Sequence, residues 1–132
     1  MGAIQQQLFF LEKTGSYNTF FRVIGNIYKN QPQAEIVLYR VVQELLNNII
    51  KHSEATRIEV LMQYREDKMS IIVTDNGKGF HENEIQNSGK RGLGLNNIRN
   101  RISMLKGVIA IHSHPGKGTE AIIEISKQPG AP

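Results

Sequence analysis

The sequence predicts an α+β fold, a two-layer α/β sandwich in which a mixed sheet of about five strands is covered on one face by about three helices. The first observation is the order of hydrophobic periodicities, which runs strand, helix, two strands, loop, helix and two strands. The second is the length, because 132 residues suffice for one core but not for two. The third is the absence of cysteine, which excludes a disulfide framework and a thiolate metal site.

The N-terminal half contains the patterns of a helix, a strand and a longer helix. Residues 3–13 are predicted to be a short helix or the stub of a longer one, and residues 17–25 have the β-branched and aromatic content of a strand. Pro32 suits the start of the next helix. From residue 33 to residue 51, most apolar side chains fall on one broad face at 100° per residue, which predicts an amphipathic helix.

The C-terminal half is predicted to contain four strands, one helix and a polar loop. Period-two alternation and β-branched content indicate the strands, and a buried face at helical spacing indicates the helix, with Arg99 and Arg101 on its outer side. A Pro115-Gly116 turn joins the last two strands. The predicted strands are 57–64, 69–75, 108–113 and 119–126, the loop is 81–91 and the helix is 93–105.

Asp75 stands out because it continues the apolar face of its strand. A carboxylate in such a position needs a hydrogen-bond donor to offset its desolvation, and an inconsistency of this kind is typical of functional sites. In the functional interpretation, Asp75 accepts a hydrogen bond from an adenine amino group, and Gly77 and Gly79 let the backbone approach the ligand. Guanine has a carbonyl oxygen at that position and is rejected. The alternative is a simple hairpin turn at Asn76-Gly77.

A polar stripe on the long helix is the second candidate. Asn48 lies four residues after Glu44, so the two side chains share a helix face. Asn48 offers a neutral amide oxygen to Mg²⁺, Glu44 can position or deprotonate an attacking group, and Lys51 and His52 would meet phosphate oxygens. The alternative, a solvated polar helix face, is equally compatible with this stripe taken alone.

The segment Gly92-Leu93-Gly94-Leu95 is predicted to open the second long helix. Backbone N–H groups at a glycine-rich helix start form an anion site, and Lys90 and Arg91 just before it add positive charge. A glycine-marked helix start without a ligand is the alternative. A Walker A loop is excluded, because none of the three Gly-Lys pairs is followed by Ser or Thr. The Gly-x-Gly pairs at 77–79 and 92–94 fail as a Rossmann fingerprint, because Glu82 and Asn97 stand where a third small residue is needed.

The composition narrows the classes of partner. The formal net charge is +4, but the cations are scattered and no aromatic residues interleave with them, which argues against nucleic-acid binding and favours a phosphate-bearing small molecule. His112 and His114 are taken as structural or solvated, because two histidines without a carboxylate are a poor metal-ligand set. No apolar run approaches the length of a membrane span, and a cytoplasmic location is expected.

Over residues 17–126 the chain strongly resembles the ATP-binding catalytic domain of bacterial sensor histidine kinases, which has the Bergerat (GHKL) fold shared with gyrase, heat-shock protein 90 and MutL. The resemblance rests on residues 38–48 with Lys51-His52, on the sequence GLGLNNIR at 92–99, and on GKGT at 116–119. It is closest to the DesK-like kinases that work with response regulators of the NarL type.

The resemblance implies ATP and Mg²⁺ as cofactors and gives each motif a role. Asn48 would be the Mg²⁺ ligand, Glu44 the catalytic carboxylate near the reacting phosphate, and residues 80–91 a short lid over the nucleotide. Asp75 would contact adenine, assisted by Gly79 and by Thr119 through water. The candidate cofactor-binding residues are therefore Asn48, Lys51, His52, Asp75, Gly77, Gly79, Lys90, Arg91, Gly92, Leu93, Gly94, Leu95 and Thr119.

The sequence departs from the family at its N-terminus, where the dimerising hairpin that carries the phosphoacceptor histidine is absent. None of His52, His81, His112 and His114 has the context of that histidine. Residues 1–16 are therefore expected to be a stub of the preceding helix or a linker, residues 17–126 the catalytic domain and residues 127–132 a tail. The chain alone is expected to be monomeric and to bind ATP without phosphorylating itself.

In the full protein, the resemblance implies that ATP donates its γ-phosphoryl group to a histidine of the separate dimerisation domain, and from there to a NarL-type response regulator. The catalytic domain is expected to be cytoplasmic whether or not the full protein is membrane-anchored. Two alternatives stay open: an anti-sigma-factor serine kinase of the same fold, and a non-enzymatic module in which the nucleotide controls docking to a partner.

Overall fold

The structure, a computed structural model, describes residues 2–15, 17–79 and 95–127. Within these ranges, five strands form one sheet and three α-helices pack against it, which confirms the predicted α+β fold. The helices are α1 (Gly2–Thr14), α2 (Pro32–Asn48) and α3 (Leu95–Met104). The strands are β1 (Asn18–Ile24), β2 (Arg57–Tyr64), β3 (Lys68–Asp75), β4 (Val108–His114) and β5 (Gly118–Ser126).

The sheet is mixed and has the strand order β1-β2-β3-β5-β4. β1 runs parallel to β2, since the chain crosses back over the sheet through α2 between them, whereas the other three neighbouring pairs are antiparallel. The last strand in the sequence therefore lies inside the sheet and the preceding strand forms the edge. This order places the C-terminal end of β3 beside the N-terminal end of β5.

One face of the sheet carries the core. Side chains of β2, β3 and β5 alternate between buried and half-buried positions, as strands with one covered face require. The buried face meets the apolar sides of all three helices in a single cluster. Its largest fully buried members are Leu8, Leu38, Leu46, Ile58, Met62, Met69, Ile71, Ile98, Ile102, Ile123, Val41 and Val42.

Helix α1 is part of this packing. Ile4, Leu8 and Leu11, spaced one turn apart, are buried in the common core, while Phe9 and Phe10 on the other side of the helix are exposed. The domain boundary placed at residue 16 stays a prediction.

The end of α2 differs from the sequence-based prediction of a regular helix to residue 51. Regular α-helical geometry ends at Asn48, and the chain continues as a π-helical turn from Ile49 to Ser53 before Glu54 adopts a left-handed φ of 55°. The α-helical spacing that aligned Lys51 and His52 with Glu44 therefore does not extend past Asn48. Lys51 is exposed.

Among the described residues, no helix has both the length and the apolar character needed to cross a lipid bilayer.

Candidate functional site

Asp75, the last residue of β3, is buried on the helix-covered face of the sheet. It is 6% exposed and is paired with Ile58 of β2 on one side and Thr119 of β5 on the other. The backbone N–H of Gly77 donates a 2.7 Å hydrogen bond to Asp75 Oδ1. Burial raises the pKa of the Asp75 carboxyl above its usual value, and the Gly77 hydrogen bond opposes that shift. The donor that the sequence argument required is thus supplied two residues along the chain.

Asn76 joins the end of β3 to the start of β2. Its Oδ1 accepts 2.9 Å hydrogen bonds from the backbone N–H groups of both Thr56 and Arg57, and its Nδ2 donates a 3.0 Å bond to Thr56 Oγ1. These contacts satisfy two backbone donors just where the β2 ladder begins. Sequence reasoning considered Asn76 only as a turn residue. The bonded residues lie 20 and 19 positions away, so no local pattern signals them.

The turn between β4 and β5 packs against the loop that follows Asp75. The Gly116 N–H donates to the Lys78 carbonyl at 2.5 Å. Gly79 has a φ of +70° and Gly118 a φ of +85°, and a Cβ at either position would overlap a backbone carbonyl, that of His114 or of Asp75 respectively. Both glycines therefore allow backbone to meet backbone within the protein. Their approach to a ligand stays a prediction.

The ends of α2 and β3 lie at the same end of the sheet. The chain leaves α2 at Asn48 and reaches β2 at Arg57 through the π-helical turn, and Ile58 pairs with Asp75. Asp75 also faces the helix layer. Its carboxylate and the C-terminal turns of α2 therefore lie at the same end of the domain, between the sheet and the helices. Asn48 and Glu44 are both half-buried there.

Glu44 is linked to α3 by an ion pair. Its Oε2 lies 3.6 Å from Nη1 of Arg101, and this oxygen is buried without a hydrogen-bond partner among the described residues. Arg101, which was predicted on the outer side of its helix, has a side chain that is 38% exposed and contacts α2 through this pair. Arg101 follows Ile98 and precedes Ile102, the buried residues of this part of α3, and its guanidinium reaches Glu44.

Thr119 belongs to a pair of hydroxyl groups on neighbouring strands. Ser113 of β4, 2% exposed, is opposite Thr119 in the ladder, and the two hydroxyl oxygens are 2.7 Å apart. Ser113 Oγ also donates to the Gly118 carbonyl at 3.1 Å. The family resemblance assigned Thr119 a contact with adenine through water, but Ser113 was missed, because a single serine in a strand carries no periodic signal.

The remaining candidates are distributed as follows. Lys90, Arg91, Gly92, Leu93 and Gly94 lie outside the described residues, as does the side chain of His52. Leu95 begins α3 and its side chain is buried in the core. His112 and His114 are exposed, and the described residues contain no group of three or more His, Cys, Asp or Glu side chains arranged to hold a metal.

Comparison with known proteins gives the family. The model of the histidine kinase-, DNA gyrase B- and HSP90-like ATPases matches residues 33–129, so the chain belongs to this ATPase family. It is an ATP-binding domain of the sensor histidine kinase type.

Two curated relatives illustrate the likeness. The chain is 36% identical over 116 residues to the signal transduction histidine-protein kinase/phosphatase DegS of Brevibacillus brevis, covering 88% of this chain and 29% of that protein. It is 35% identical over 88 residues to the sensor histidine kinase LiaS of Bacillus subtilis (strain 168), covering 67% of this chain and 24% of that protein. The chain thus spans less than a third of either relative.

A solved structure shows the same fold. The histidine kinase domain of the Erythrobacter litoralis EL346 blue-light activated histidine kinase superposes with a TM-score of 0.77 at 17% identity, covering 96% of this chain and 58% of the solved chain.

The burial of Asp75 predicts a pH-dependent stability. Because the folded-state pKa is raised, the folded protein binds this proton more tightly than the unfolded chain does. The Asp75 contribution to the free energy of unfolding therefore falls as the pH rises from the ordinary value of 3.8 through the raised value. Asp75→Asn removes this loss and keeps an oxygen for the Gly77 N–H, so the variant should be at least as stable as wild type at pH 7.

Urea unfolding between pH 4 and pH 7 measures this effect. Asp67→Asn, in the exposed β2–β3 turn, is the matched control and should leave the pH dependence unchanged. An Asp75→Asn variant that is clearly less stable than wild type at pH 7 would show that the ionised carboxylate stabilises the free protein.

Proposed function

We propose that this chain is the catalytic domain of a sensor histidine kinase that binds ATP with Mg²⁺ and donates the γ-phosphoryl group to a histidine on a separate dimerisation domain. The observation that supports this proposal most directly is the buried carboxylate of Asp75 beside Thr119, at the end of the sheet where Glu44 and Asn48 of α2 also lie. A purine and a phosphate chain need such an arrangement, with a selective group at one end and charge-handling groups at the other.

Asp75 selects the base. Its carboxylate is desolvated whether or not a ligand is present, so a donor proton that reaches it recovers a hydrogen bond at little further cost. The exocyclic amino group of adenine provides such a proton. The carbonyl of guanine does not, and it leaves two acceptors facing one another in a buried site.

Asn48 and Glu44 serve the phosphate end. The Asn48 amide fits Mg²⁺, which in proteins commonly keeps waters and substrate phosphate oxygens as most of its ligands. A Mg²⁺ ion held there would supply the positive charge that neutralises the phosphates. Glu44 lies one turn earlier on the same helix, where its carboxylate positions the attacking group, and Arg101 limits its freedom by the ion pair from α3.

The partners follow from the same proposal. The phosphoacceptor histidine lies on the dimerisation domain of the full protein, and the phosphoryl group then passes to a response regulator of the NarL type. The similarity to DegS and LiaS supports this order of transfer, because both proteins are named as histidine kinases.

Asp75→Asn should weaken ATP binding by about 10- to 100-fold, because the amide can direct an N–H at the adenine amino group and the charged hydrogen bond is lost. Isothermal titration calorimetry with ATP and GTP measures the effect. Wild type should bind ATP and strongly prefer it over GTP, and Asp67→Asn should behave like wild type. Unchanged ATP affinity in Asp75→Asn would contradict the adenine assignment.

Asn48→Ala should remove most of the dependence of ATP affinity on Mg²⁺, because the amide oxygen that holds the cation is gone. Titrations with and without Mg²⁺ separate this effect from a general loss. Asn47→Ala, at the exposed neighbouring position of α2, should keep the wild-type dependence. An equal loss of ATP affinity in both media would count against a ligand role for Asn48.

Glu44→Gln should lower the rate of phosphoryl transfer by about 100-fold or more while changing ATP affinity about twofold at most, because the carboxylate acts on the reacting group and not on the base. Transfer is followed with labelled ATP and a purified phosphoacceptor domain of a similar sensor kinase. Glu59→Gln is the control, since Glu59 matches Glu44 in exposure (34% against 36%) and also pairs with an arginine. Equal rates for wild type and Glu44→Gln would exclude the catalytic role.

A further inference from the structure

Three polar side chains form a row across the end of the sheet. Ser113 of β4 is opposite Thr119 of β5, and Thr119 is opposite Asp75 of β3. Directly opposed residues of antiparallel strands project to the same face with Cβ atoms about 4.5–5.5 Å apart. Ser113 and Asp75 are both buried, and Thr119 between them is half-buried. The row therefore runs from Ser113 on the edge strand β4 to Asp75 at the proposed base site.

The hydrogen bonds of this row are compatible with one direction of donation along it. Ser113 Oγ lies 3.1 Å from the Gly118 carbonyl oxygen, which can only accept, and 2.7 Å from Thr119 Oγ1. A hydroxyl carries one proton. When Ser113 gives its proton to Gly118, the short contact between the two hydroxyls is a hydrogen bond only if Thr119 is its donor. Either hydroxyl can donate in the short contact, and the order that satisfies both contacts is Thr119 to Ser113 to the Gly118 carbonyl.

We propose that Ser113 is a positioning residue that determines base specificity by fixing the proton of Thr119. With that proton turned towards Ser113, Thr119 presents only lone pairs to the site that it shares with Asp75. The inference deepens the proposed adenine site and rests on it. Nothing in it requires Ser113 to touch the nucleotide.

The consequence is a site with two acceptors side by side. A carboxylate and an oriented hydroxyl oxygen together match a group that offers two protons, which is an exocyclic amino group or a water that in turn accepts a proton from one. A carbonyl oxygen at the same position of the base would meet acceptors from both side chains. Asp75 and Thr119 therefore each contribute to the preference for an amino group over a carbonyl. The contribution of Thr119 depends on Ser113, which fixes the direction of its proton.

Removing the Ser113 hydroxyl releases the Thr119 proton. Thr119 can then donate to Asp75, which occupies an acceptor that the amino group needs, or it can donate to a carbonyl ligand. The first change weakens binding of an amino purine, and the second improves binding of an oxo purine. Both changes act in the same direction on the ratio of the two affinities.

The test uses ATP and inosine triphosphate, because hypoxanthine carries a carbonyl where adenine has its amino group and lacks the additional amino group of guanine. Ser113→Ala should weaken ATP binding by about 3- to 10-fold and lower the ATP-over-ITP affinity ratio by about tenfold. Ser113→Cys, in which a thiol is only a weak donor and acceptor, should change the ratio in the same direction and serves if the alanine variant does not fold.

Ser70→Ala is the matched control. Ser70 is a buried serine (3% exposed) whose hydroxyl also bonds across the β3–β5 ladder, to Glu124 at 3.3 Å, and it lies near the far end of the same two strands. Its loss should leave the nucleotide ratio unchanged. Thermal unfolding of both variants shows how much of any change in affinity follows from stability alone.

A double-mutant cycle separates positioning from general disruption. In a Thr119→Val background no proton remains to be oriented, so adding Ser113→Ala should no longer change the ATP-over-ITP ratio. A ratio that is unchanged by Ser113→Ala in the wild-type background, or lowered equally in both backgrounds, would overturn the inference. Failure of wild type to bind ATP at all would instead overturn the proposed function.

Discussion

The buried carboxylate of Asp75 is the constraint on which the rest of this site depends. A sheet end that faces the helix layer would normally close with an apolar residue, as Ile71 and Val73 do earlier on the same face. An acid there costs desolvation free energy that one 2.7 Å hydrogen bond from Gly77 only partly offsets, which is why its pKa is raised. A ligand that donates a hydrogen bond to this carboxylate therefore recovers part of the free energy that its desolvation costs on folding.

The surrounding backbone is organised to hold that carboxylate in place. Asn76 ties β3 to the start of β2, and the close approach of Gly118 to the Asp75 carbonyl ties β3 to β5. Asp75 is therefore fixed from both neighbouring strands, and a rigid acceptor discriminates between bases better than a mobile one, because it cannot move to avoid an unfavourable contact. The strand order matters to the proposed site, because β5 must lie beside β3 for Thr119 to stand opposite Asp75.

How far the sequence predicted this arrangement depended on the range of the interactions. The limits of β2 were predicted as 57–64, as observed, and Asp75 was recognised because local alternation makes a misplaced carboxylate visible. The position of β5 between β3 and β4 and the hydrogen bonds of Asn76 were not predictable, since they join residues far apart in the chain. The end of α2 was missed because a π-helical turn keeps the composition of an α-helix while changing its rotation per residue.

The ion pair between Glu44 and Arg101 links α2, which carries the proposed catalytic carboxylate, to α3. α3 follows the glycine-rich segment that is expected to receive the phosphates, and Arg101 reaches from it to the carboxylate on α2. A half-exposed pair of this kind contributes little to stability. Its geometric effect is larger, because any movement of α3 changes the environment of a carboxylate oxygen that has no hydrogen-bond partner among the described residues. In the proposed function, the position of α3 therefore controls how freely Glu44 meets a reacting group, which would make phosphate binding and catalysis depend on one packed helix pair.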